Sequence, residues 1–120
     1  MNETELINLK RYRLRNLTPD TKHIAKHLPD TPQSQKLFRK QGVIHVFKDE
    51  ATMNMVAETI MIRGIYVGKV RGHERWACEF DETIGYRSDK NGNHLSLCWG
   101  EMKIRGGKYH VIPRTRPSNK

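Results

Sequence analysis

WGEMKIRGGKYHVIPR, residues 99–114, decides the fold class. Two alternating stretches flank Gly106-Gly107, a pair that supplies the positive φ angles of a tight hairpin turn. The reading is two antiparallel strands, Glu101–Arg105 and Lys108–Ile112. Residues two apart share one face of a strand, so Trp99, Glu101, Lys103 and Arg105 lie together. That row reads as a charged, solvated outer face, and Glu101 is the one acid in it. On the second strand Tyr109 and His110 point to opposite faces, and Arg114 and Arg116 follow between prolines.

Working back from this hairpin, further strands are expected at His94–Cys98, Thr83–Arg87, Arg75–Phe80 and Tyr66–Val70, with Asn91-Gly92 as a second hairpin turn. Residues 43–47, VIHVF, read as a buried strand or an extended link. The clearest helix precedes the strands. Asp49 is its N-cap, Met53, Val56, Ala57 and Ile60 form one apolar stripe, and Gly64 is placed at C′ after Arg63. Thr31 and Pro32 open a shorter helix that Gly42 ends. Residues 5–14 suggest another, with Leu6, Leu9 and Tyr12 or Leu14 on one side. The class is therefore α+β, with N-terminal helices packed on one face of a C-terminal antiparallel meander. One domain over residues 1–120 is expected, with a helical segment at 1–20, a core at 22–117 and fraying from Arg116 to Lys120.

The net charge of +9 is unevenly distributed. Residues 1–48 hold ten Lys or Arg against four acids, 49–82 four against seven, and 83–120 eight against two. Two basic ends flank an acidic middle, a pattern that suits a polyanion partner if the ends meet on one face. No apolar run is long enough to span a membrane. The opening MNETELINLKRYRLRNL lacks the apolar core of a signal peptide, and Cys78 and Cys98 form no CxxC pair. A cytoplasmic place of action, without membrane, metal or cofactor, is the expectation. Phosphate-cradling glycine loops and nucleophile elbows are absent from the sequence.

Histidines carry the chemistry. His23 and His27, four apart in KHIAKHLP, share a face if helical, with Lys22 and Lys26 beside them. These cations oppose a metal and suit an anion. His110 sits late, on the last strand; His23, His45, His73 and His94 read as structural or incidental.

Three motifs in order, Lys26-His27-Leu28-Pro29, the strand from Glu79 to Tyr86, and Tyr109-His110-Val111-Ile112-Pro113, resemble the layout of bacterial polymorphic-toxin nuclease domains of the barnase, EndoU, colicin and RelE-like group. The resemblance spans residues 22–117. It implies metal-independent cleavage of RNA, often transfer RNA, by attack of a ribose 2′-OH on the adjacent phosphate. It further implies His27 and His110 as the proton-transfer pair, with Lys26 and Arg114 on the scissile phosphate. Ser96, Glu101, Lys103 and Tyr109 would contact the substrate from neighbouring strands. An acidic immunity protein or antitoxin would cover the basic cleft. The same charge, with Trp76, Trp99 and several tyrosines for base stacking, also suits a non-catalytic RNA- or DNA-binding module. A basic protein-interaction domain is the third expectation.

Overall fold

A computed structural model describes residues 1–119. The chain runs α1 (Glu3–Arg13), β1 (Thr18–Pro19), α2 (Thr21–Ile24), α3 (Pro32–Gln41), β2 (Val43–Phe47), α4 (Glu50–Arg63), β3 (Ile65–Val70), β4 (His73–Glu79), β5 (Gly85–Asp89), β6 (His94–Leu97), β7 (Trp99–Arg105) and β8 (Lys108–Arg114). The α+β class holds. The single meander does not, because the strands divide into a five-stranded sheet, β1-β8-β7-β4-β3, and a three-stranded sheet, β2-β5-β6. VIHVF is the strand that makes the difference. It pairs antiparallel with β5 from Val43↔Asp89 to Phe47↔Gly85 and draws the β5–β6 hairpin out of the main sheet. Strand β1 adds a parallel edge to β8, through Thr18↔Lys108 and Pro19↔Tyr109.

Local chemistry explains the element ends. Gly106 and Gly107, at φ 59° and 75°, connect β7 to β8 in a two-residue turn closed by Arg105↔Lys108. The side chains of Thr31 and Asp49 accept hydrogen bonds from the Ser34 and Thr52 backbone N–H groups, capping α3 and α4. Gly42 closes α3 in the left-handed region, φ 77°. Gly64 behaves otherwise. Its backbone is extended, φ −61°, so positive φ is not what selects glycine there. A Cβ at that position would stand 2.7 Å from the Ile60 carbonyl oxygen, and close approach is the reason.

The core lies between α4 and one face of the main sheet. Met53, Val56, Ala57 and Ile60 meet Trp76, Cys78, Met102, Ile104 and Val111, with Phe47, Ile84 and Leu14 completing the cluster. Helix α1 departs from expectation. Leu6 and Leu9 are exposed, and the side turned to the sheet carries Ile7, Lys10, Arg11 and the buried Leu14 that follows the helix. The Arg11 guanidinium lies 5.0 Å from the Trp76 ring centroid, and the Lys10 ammonium lies 5.4 Å from that of Tyr66 and 3.7 Å from the Glu74 carboxylate. Cationic heads on apolar stems can cover aromatic surface, and a hydropathy pattern scores them as solvent-facing.

Candidate functional site

The other face of the main sheet holds the candidate site. Register places Arg75, Lys103 and His110 in one row across β4, β7 and β8, with Ala77, Glu101 and Ile112 in the next. This is the face the alternation assigned to charged residues; Arg105 at its edge is exposed, but its middle is covered rather than solvated. Arg75 is 2% exposed, Glu101 0% and His110 6%.

Glu101 and Arg75 form a buried ion pair at 3.0 Å. Arg75 also donates to the Val70 carbonyl and the Ser118 hydroxyl. Glu101 accepts from both the backbone N–H and the hydroxyl of Ser118, each at 2.7 Å. Its carboxylate is committed inside the protein, which corrects its assignment as a substrate contact. The same bonds correct the expected fraying: Ser118 is buried and tied down, and Lys120 alone of that tail lies outside the described residues.

Around His110 the structure gathers imidazoles from opposite ends of the chain. Asp20, after β1, donates its backbone N–H to the Tyr109 carbonyl at 2.7 Å, which brings α2 against β8. The Asp20 carboxylate caps α2 and accepts from His23 Nδ1 at 2.8 Å. The His23 ring then stacks on His110, centroids 5.1 Å apart and planes 25° from parallel. On a second side His27 stacks on His110 at 6.0 Å and 2°. His27 Nδ1 donates to the His45 carbonyl at 2.9 Å, which leaves Nε2 as the titrating nitrogen. His73 meets His110 edge-on at 6.4 Å. Asp20, His23, His73, Arg105, Lys108 and His110 line a cleft of about 170 Å³.

The electrostatics follow from burial among cations. Burial pushes His27 down to about 4, with His45, Lys103 and Lys26 adding to the effect against the hydrogen bond to His45. Burial pushes His110 down to about 3, with His27, Lys103 and His23 reinforcing it and Asp20 opposing. Burial next to Arg75 lowers Lys103, and Glu101 works against that shift. Burial favours the neutral form of Asp20, but hydrogen bonds from His23 and the positive field of His23 and His110 outweigh it, so its carboxyl lies below the usual range. Burial among cations thus holds His27 and His110 in their neutral forms at neutral pH.

His27 and His110 titrate lower in the folded than in the unfolded chain, so their contribution is complete above about pH 6.5 and is lost as pH falls toward 4. For His27 alone the loss approaches about 3 kcal/mol. Thermal melts between pH 7 and 4.5 are expected to drop by about 10 °C. A His27→Gln variant should flatten that slope; an unchanged slope would refute the assignment.

The other sequence candidates distribute unevenly. His27, His110 and Lys103 come together. Lys26 turns away from the stacked rings into a groove beside α3. Arg114 stands two same-face positions beyond His110 and lines a smaller cleft of about 100 Å³ with His45, Ile112 and Thr115. Its Nε donates to the Arg116 carbonyl at 3.2 Å and lies 3.8 Å from Glu101. Tyr109 points to the opposite face and packs on the core, where burial raises its pKa. Ser96 is exposed on β6 of the second sheet, on the face opposite the buried Leu97. Neither joins the cluster: strand alternation turns Tyr109 away, and Ser96 belongs to the other sheet. His23, His45 and His73 were missed. The Asp20-Thr21-Lys22-His23 run was the available signal, since an N-cap aspartate can reach a side chain three residues on. Among the described residues no group of three or more His, Cys, Asp or Glu is arranged to hold a metal ion, and no helix is long and apolar enough to cross a membrane.

This chain belongs to the family described as Domain of unknown function (DUF6972), matched over residues 15–118. That span takes in β1, the histidine cluster and Ser118, and leaves out α1. No curated protein and no solved structure matches the chain.

Proposed function

We propose that this member of the family is a metal-independent endoribonuclease, acting in the cytoplasm on RNA, with transfer RNA the first substrate to test. The observation that carries the reading is the parallel stacking of His27 on His110, one from each end of the chain. Cleavage by internal attack needs a base for the 2′-OH, an acid for the leaving oxygen and a cation for the charge building on phosphorus.

The residues suit those roles as follows. His27, with Nδ1 committed to a carbonyl, presents Nε2 to take the 2′-OH proton. The 2′-oxygen bonds to phosphorus, the bond from phosphorus to the 5′-oxygen breaks, and a proton from an imidazolium passes to that oxygen. His110, beside the Asp20-oriented His23, is the proton donor in this reading. Lys103 supplies the nearest cation in the strand register, and Arg114 receives the neighbouring phosphate. The products are a 2′,3′-cyclic phosphate and a free 5′-OH. An acidic immunity protein or antitoxin is the partner such a basic cleft would require.

One observation favours a non-catalytic RNA-binding module instead. Both stacked rings are held neutral in the free chain, so neither is a ready proton donor at pH 7. The cleavage reading needs the bound phosphate to restore one proton.

Incubation with total transfer RNA in EDTA separates the two. Fragments ending in cyclic phosphate, lost in His27→Ala, are the expected result. Intact RNA that the folded protein still retards on a gel would exclude cleavage and leave the binding module.

A further inference from the structure

The segment from Thr21 to His27 has two working sides. His23 and His27, four apart, face β8; Lys22 and Lys26, also four apart, do not. The lysines open onto a groove of about 280 Å³ whose other wall is α3, with Gln33, Lys36, Leu37 and Lys40. Those four occupy i, i+3, i+4 and i+7 on the helix, one continuous face. Four cations thus surround one groove, no carboxylate lines it, and none of the four is in an ion pair among the described residues. Nothing in the fold accounts for that concentration of unneutralised charge.

The geometry points to this groove as a track for the sugar-phosphate backbone of single-stranded RNA, holding phosphates next to the one seated at the imidazole stack. Lysines suit the task, because each is a mobile point charge that follows a flexible backbone without demanding one bidentate geometry. Leu37 gives the floor an apolar patch for ribose. A docking site for an acidic protein is less favoured, because the lining holds no Trp, Tyr or Arg, the anchors that concentrate protein–protein binding energy.

The inference builds on the RNA reading but is testable without cleavage. A fluorescent 2′-O-methyl oligoribonucleotide cannot undergo 2′-OH attack, so its binding is independent of the chemistry. Titrations by anisotropy between 50 and 300 mM salt are compared for the wild type, Lys36→Gln/Lys40→Gln and Lys36→Arg/Lys40→Arg. For the glutamine pair the slope of log K against log salt is expected to fall by about 1.4 and affinity at 0.1 M salt by about 25-fold. The arginine pair should retain wild-type behaviour. A glutamine pair that binds with wild-type slope overturns the track, while cleavage in EDTA would still stand. Wild-type protein that ignores the oligonucleotide but binds a polyglutamate peptide through Lys36 and Lys40 overturns the RNA assignment and gives the groove to an acidic protein.

Discussion

Glu101→Gln is expected to lower folding stability by about 3–5 kcal/mol, the cost typical of breaking one side of a buried ion pair. The substitution keeps shape and volume, so packing is not what it tests. It replaces a carboxylate oxygen by an amide NH2 where three donors converge, from the Arg75 guanidinium and from the backbone and hydroxyl of Ser118. Whichever way the amide turns, a donor meets a donor, and Arg75 is left as a charge without a counter-ion at 2% exposure. Urea denaturation checks the size of the effect. The double variant Arg75→Met/Glu101→Met should be less damaging than Glu101→Gln, because it removes both charges together. A single-variant loss below about 1 kcal/mol would mean that the pair is dispensable. The network also explains why the tail matters: Ser118 is its closing member, and loss of Glu101 is expected to free the segment that follows β8.

His110→Ala is expected to reduce kcat for RNA cleavage by about 10²–10⁴, with little change in affinity for an uncleavable oligonucleotide. His27→Ala should have an effect of the same size. The double variant should be scarcely worse than either, because groups that act in one proton relay fail together. The pH dependence has a definite sign. In the proposed cleavage the cluster must carry one proton, and the free chain resists that proton because burial, Lys103 and the neighbouring rings all disfavour it. Values of kcat/KM should therefore rise as pH drops below neutrality and fall above it. Equal loss of affinity and rate in the single variants, with a flat pH profile, would make His110 a binding group alone.

Local chemistry made much of this protein legible. The α4 stripe, the Thr31 and Asp49 caps, the Gly106-Gly107 turn and the row containing Glu101 and Lys103 all rest on neighbours within one or two turns of chain, where periodicity and capping act. His27 and His110 were also marked as a pair, but by motif resemblance rather than by contact.

What distance along the chain hides was settled by tertiary structure. Alternation says that Glu101 and Lys103 share a face; it is silent on whether that face meets water or a closing tail. A charged strand residue looks the same in sequence whether solvated or paired inside, and only the arrival of Arg75 and Ser118 distinguishes the two. The division into two sheets has the same origin, since β2 found β5 across α4, β3 and β4. So does the histidine cluster. His23 reaches His110 because β1 pairs in parallel with β8, a contact between the two ends of the fold that no local pattern encodes. The sequence by itself determined α3, α4, the strands β3 to β8 and the alternation of their faces; long-range pairing decided how α1 was covered, which polar face was buried and which imidazoles met.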